Sequence, residues 1–122
     1  MSRDWRWFLL DMVEACEHIA EHVDGLTKQQ FCQQRMVQAA VERELAILGE
    51  AAKQVPLQVQ ARAQDVPWRA MARMRDLLNH VYFAVDSAVV WRVATEDVPL
   101  ALAGLRTLVV AEVGAGGLDD SQ

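Results

Sequence analysis

The 122-residue sequence has little of what punctuates or staples a small fold: two cysteines, three prolines and six glycines. Cys16 and Cys32 are too few for a disulfide framework, and such sparse cysteine points to a reducing, cytoplasmic setting. No apolar run approaches the ~18 residues of a membrane span; the stretch from Val98 to Leu105 stops at Arg106. The opening Met1-Ser2-Arg3-Asp4-Trp5-Arg6 leads into only a short apolar patch before Asp11, which gives no sign of a secretory leader. Basic excess is missing too. A formal net charge of −5 argues against bulk attraction to nucleic acid. No window alternates with the period of a half-buried strand, and no hairpin dipeptide separates two apolar runs.

What is present is helical periodicity. At 52% hydrophobic residues the chain can fill a core, and its length suits a single domain of ~100–200 residues. Trp5, Phe8, Met12, Ala15, Ile19 and Val23 recur at spacings of three and four. Val37, Val41, Leu45, Leu48, Ala52 and Val55 make a second such stripe. Trp68, Met71, Met74, Leu78, Val81 and Val85 make a third, continued by Ala88 and Val89. Leu102, Leu105, Leu108 and Val109 make a fourth. Thr27 and Gln30 have the spacing of a capping box just after Gly25 ends the first helix. Asp65 with Pro67, and Asp97 with Pro99, have the pattern of an N-cap followed by a first-turn proline. The expectation is an all-α bundle of four to five helices over residues 1–113, with a flexible tail over 114–122.

Charge is unevenly spread. Asp4, Asp11, Glu14, Glu17, Glu21 and Asp24 outweigh Arg3 and Arg6 on the first helix, whereas Arg62, Arg69, Arg73, Arg75 and Arg92 outweigh Asp65, Asp76 and Asp86 further on. Arginine is the cation suited to bidentate phosphate contact, although an ordinary solvated face collects the same residues.

Two clusters have the residue types of a chemical site. His18-Ile19-Ala20-Glu21-His22 fits H-x-x-E-H, which puts two histidines on one helix face beside Glu14 and Glu17. The surrounding helix is acidic and amphipathic, and no downstream third ligand is marked out, so a solvated face is the simpler reading. The cysteines read as small buried apolar residues, and the tryptophans and methionines fall largely at core spacing.

The second cluster is Arg75-Asp76-Leu77-Leu78-Asn79-His80-Val81-Tyr82. On a helical wheel Met71, Met74, Leu78, Val81 and Val85 face the core. Arg75, Asn79 and Tyr82 form a polar stripe on the flank, with Asp76 and His80 further round. By composition alone an ordinary exposed helix face is the simpler explanation.

The segment resembles the R-x4–6-H-x-Y signature of HepT-like HEPN proteins, ribonuclease toxins of bacterial and archaeal toxin–antitoxin modules. Trp68-Arg-Ala-Met-Ala-Arg-Met-Arg75 before it and Phe83-Ala-Val-Asp86 after it are similar to the family. So are Val41-Glu-Arg-Glu-Leu-Ala-Ile-Leu-Gly49-Glu50-Ala-Ala-Lys53, Gly25-Leu-Thr and Asp97-Val-Pro99, and the resemblance spans roughly residues 4–110. It implies an antiparallel HEPN-type bundle, a homodimer with two motifs meeting at its interface, and a type VII-like endoribonuclease that needs no metal or other cofactor. RNA would be cut by attack of a ribose 2′-OH on the adjacent phosphate, with Arg75 and His80 catalytic and Asp76 and Asn79 supporting them. Tyr82 is implied as the residue to which a minimal nucleotidyltransferase (MNT) antitoxin adds AMP. Asp76 stands where the family often has Asn, and Asn79 stands where an apolar residue is more usual. The alternative implied function is a non-catalytic module that partners the nucleotidyltransferase.

Overall fold

Asp4 starts the first helix by accepting a hydrogen bond from the Arg6 amide at 3.0 Å, and α1 then runs over Trp5–Val23. The Arg6 guanidinium beside Asp4 holds that carboxyl below its ordinary range. In the computed structural model, which describes residues 3–79 and 85–114, six further α-helices follow. They are α2 (Lys28–Cys32), α3 (Arg35–Ala52), α4 (Leu57–Gln60), α5 (Trp68–Leu78), α6 (Ser87–Arg92) and α7 (Val98–Glu112). The long helices α1, α3, α5 and the α6–α7 run make the expected all-α bundle, and α2 and α4 are connectors of about one turn. Among the described residues there is no strand. No helix there is long and apolar enough to cross a membrane.

Local signals fix several boundaries. Gly25 takes the positive φ of 75° that closes α1, a conformation that costs glycine little. Thr27 Oγ1 accepts from the Gln30 amide while the Gln30 side chain accepts from the Thr27 amide, completing the capping box.

Three expectations need correction. Asp65 does not cap α5; Pro67 occupies the cap position and makes no side-chain capping bond. Asp97 caps nothing either, because its backbone is helical (φ −75°, ψ −41°) and a π-helical turn over Val93–Asp97 carries α6 into α7. Pro99 lacks an amide hydrogen, and the wider turn ahead of it accommodates that loss without ending the helix. Third, the stripe from Trp68 to Val89 is interrupted. The α5 helix ends at Leu78 with Asn79 as its C-cap, and Asp86 starts α6 by accepting from the Ala88 amide at 2.8 Å.

The core lies where α1 packs on α3 and α7, and α3 on α5. Leu9, Met12, Ile19, Phe31, Leu48 and Leu105 are among its fully buried side chains. Phe31 also meets Trp91 with ring centroids 5.3 Å apart, pinning α2 to α6. Trp68 Nε1 donates to the Ala63 carbonyl at 3.0 Å, anchoring the start of α5. Glu17 on α1 meets Arg106 on α7 at 3.0 Å, and His18 on α1 meets Glu44 on α3 at 3.1 Å. Truncating any of the buried leucines to alanine typically costs 2–5 kcal/mol, roughly, because the site collapses only in part.

Candidate functional site

The candidate site is built on the crossing of α3 and α5, which a glycine permits. A methyl group on Gly49 would lie 2.5 Å from the Met71 carbonyl oxygen and press against Arg75 Cβ. Any larger residue would push α5 away. The next turn of α3 meets the end of α5 in two ion pairs. Glu50 Oε2 lies 2.8 Å from Arg75 Nε, and Lys53 Nζ donates to Asp76 Oδ1 at 2.6 Å. Arg75 Nη1 is also 3.7 Å from Asp76 Oδ1, which links the two pairs. The Arg75 side chain is 28% exposed and Glu50 52%, so water screens these charges and each pair adds at most ~1 kcal/mol of stability. Orientation is the larger effect. Glu50 approaches the guanidinium at Nε and Asp76 lies 3.7 Å from Nη1, so the two carboxylates together set the direction of the arginine.

Asn79 follows on the last turn. Its amide donates to the Arg75 carbonyl at 3.2 Å, and its exposed side chain lines the same open groove as Arg75. That groove, about 280 Å³, runs between α1, α3 and α5. The structure therefore brings Arg75, Asp76 and Asn79 together at the C-terminal end of α5. His80 and Tyr82 lie outside the described residues, as does the continuation of the polar stripe through them.

Glu50, Lys53 and Gly49 were not picked out as site residues by sequence reasoning. The available cue was a glycine inside a strong helical pattern, which usually marks close packing, followed by opposite charges three residues apart. The arginine-rich segment proves not to be one patch. Arg62 pairs with Glu112 at 2.7 Å, Arg75 with Glu50, and Arg92 lies 3.9 Å from Asp97. Arg69 and Arg73 are exposed and make no ion pair among the described residues.

The H-x-x-E-H segment resolves into surface pairing. His18 Nδ1 meets Glu44 Oε1 at 3.1 Å and Nε2 is 3.8 Å from Glu14, while His22 is exposed. No group of three or more His, Cys, Asp or Glu side chains suited to a metal ion occurs among the described residues. Cys16 is buried, and burial, with Glu17 adding to it and Arg106 opposing, pushes its thiol up to about 12. Such a group is a poor nucleophile near neutral pH.

Residues 12–108 match the model of the family described as Ribonuclease HepT-like. The chain belongs to that family. It is 41% identical over 99 residues to "Probable ribonuclease HepT" of Thermococcus cleftensis, covering 81% of this chain and 90% of that protein. It is 33% identical over 98 residues to "Putative RNase MJ1380" of Methanocaldococcus jannaschii, covering 80% and 90% respectively. A bacterial relative, "Putative RNase TTE0752" of Caldanaerobacter subterraneus subsp. tengcongensis, is 33% identical over 94 residues, covering 77% and 84%. No solved structure matches the chain at a significant level.

Proposed function

We propose that this protein is the endoribonuclease toxin of a toxin–antitoxin module, acting on RNA without a metal ion from a cytoplasmic homodimer. The observation that carries the reading is the match of residues 12–108 to the HepT-like ribonuclease family, with the R-x4–6-H-x-Y spacing intact at Arg75, His80 and Tyr82.

In this reading the ribose 2′-OH attacks the adjacent phosphorus as it gives up its proton. The bond to the next nucleotide's 5′-oxygen breaks, that oxygen leaves with a proton, and a 2′,3′-cyclic phosphate remains. His80 serves as general base or acid, because imidazole exchanges protons near neutral pH. Arg75 holds the phosphate and stabilises the charge that builds on its oxygens in the transition state. Glu50 supports this role by holding the guanidinium at Nε, 2.8 Å away. Asp76 orients the imidazole and favours its protonated form. Lys53, 2.6 Å from Asp76, offsets the negative charge that would otherwise repel the substrate. Asn79, in the groove beside Arg75, positions phosphate or ribose.

A nucleotidyltransferase antitoxin of the MNT type would silence the enzyme by adding AMP to Tyr82. The added phosphate and bulk beside Arg75 exclude RNA by repulsion and by occupancy. The second reading is a non-catalytic module that partners the transferase, and it draws support from the two carboxylates already flanking Arg75.

Expression in a bacterial host separates the readings. The toxin reading expects growth arrest with new RNA ends, relieved by His80→Ala and by a co-expressed transferase that leaves an AMP adduct on Tyr82, read by mass spectrometry. Normal growth and intact RNA alongside AMP transfer to Tyr82 would favour the non-catalytic module.

A further inference from the structure

We infer that the groove between α1, α3 and α5 is a second RNA contact, in which Arg43 binds a phosphate next to the one held by Arg75. This rests on the ribonuclease reading above and adds to it a residue outside the R-x4–6-H-x-Y motif. Phe8, Asp11, Arg43, Ile47, Arg75 and Asn79 line the groove together with Glu50. Both of its carboxylates are engaged: Asp11 accepts from Arg3 at 2.8 Å, and Glu50 is ion-paired with Arg75 at 2.8 Å. Arg43 is exposed on α3 and makes no ion pair among the described residues, so its guanidinium can take an incoming anion. The partly exposed Ile47 and Phe8, over whose ring the Arg3 guanidinium sits at 4.8 Å, give the groove an apolar side beside its cations. A cation beside an apolar wall matches the two chemical faces of a nucleotide, its phosphate and its base.

Spacing assigns Arg43 to a different phosphate. Two helical turns, ~10.5 Å along α3, separate it from Glu50, the residue that holds Arg75. A phosphate seated on Arg75 leaves Arg43 for its neighbour. The chain is acidic overall, at a net −5, so bulk attraction does not mask the loss of one local contact.

The test measures binding of a short, 2′-O-methylated single-stranded RNA by fluorescence anisotropy across a salt series, alongside cleavage of the unmodified oligonucleotide. The proteins are wild type, Arg43→Ala, Arg43→Lys, Arg75→Ala and Arg69→Ala. Arg69 is an exposed arginine outside the groove and serves as the control for charge alone. Arg43→Ala should weaken binding about tenfold and lower the slope of log affinity against log salt by ~0.7, with KM raised and kcat held. Arg43→Lys should recover most of the affinity, and Arg69→Ala should match wild type.

Wild-type affinity and slope in Arg43→Ala would overturn the inference, as would an equal loss in Arg69→Ala. Failure of wild type to bind RNA would overturn both the inference and the reading beneath it. RNA bound but left uncut would overturn the ribonuclease reading alone, with the groove still decided by Arg43→Ala.

Discussion

Glu50 on α3 holds Arg75 on α5 through Nε at 2.8 Å, across a helix crossing that closes only because residue 49 is glycine. Backbone packing thereby sets the direction of the one arginine in the R-x4–6-H-x-Y motif. If Arg75 must meet a phosphate in one geometry, Glu50→Ala should lower kcat for RNA cleavage ~10–100-fold, since small misplacements of a reacting group are costly. Glu50→Gln, which keeps the size and polarity of the side chain but not its charge, should retain more activity than Glu50→Ala. Circular dichroism should report the same helix content for both variants. Equal activity in all three proteins would remove Glu50 from the account.

The crossing itself can be tested by Gly49→Ala. Alanine gains up to ~1 kcal/mol of helix propensity over glycine. Here its methyl would lie 2.5 Å from the Met71 carbonyl oxygen, a backbone atom that cannot swing aside as a side-chain end can. Overpacking of this kind costs ~1–3 kcal/mol, so the net change should be destabilising and visible as a lowered Tm. An unchanged or raised Tm would show that α5 can shift freely on α3.

The local features of the fold were readable from sequence and the distant ones were not. Thr27 and Gln30 are three residues apart and their capping box depends on nothing else, so pattern alone found it. Cys16 was read as a small buried residue from its apolar neighbours, and it is buried. Glu50 and Arg75 are 25 positions apart in sequence, and no periodicity links them before α3 and α5 are packed. Asp97 before Pro99 has the sequence form of a helix start, yet the π-helical turn over Val93–Asp97 keeps the chain helical through it. Conversely, the apolar spacing continued past the end of α5 at Leu78, because spacing alone does not mark where a helix stops, and the cap at Asp86 emerged only from the structure.

Glu42 supplies a pH test. Burial raises its pKa above the ordinary glutamate value, and no hydrogen bond or ion pair holds its charged form among the described residues. A carboxylate raised in the folded state binds more protons there than when unfolded. Its charge therefore opposes folding above the folded pKa, and the penalty fades as pH falls through that value toward the unfolded one. Glu42→Gln should stabilise the protein at pH 7 by ~0.5 kcal/mol or less. The gain in Tm should shrink steadily on acidification to below the unfolded pKa, roughly pH 4. A gain that grows on acidification would contradict this sign.

Cys16 should be chemically silent in the native protein, with its thiol buried and pushed up to about 12. A maleimide at pH 7.5 should leave Cys16 unmodified in peptide mapping until denaturant is added, when labelling becomes complete. Rapid native labelling at Cys16 would mean that the α1 core opens far more readily than its packing implies.

The most direct test of the central claim is RNA cleavage by purified protein in excess EDTA, with product ends analysed beside Arg75→Ala and His80→Ala. The account predicts 2′,3′-cyclic phosphate ends from wild type and a loss of at least ~100-fold in either variant, the scale of losing a general acid–base group or a transition-state donor. Undiminished cleavage by His80→Ala, or none by wild type on tRNA and mRNA alike, would contradict it.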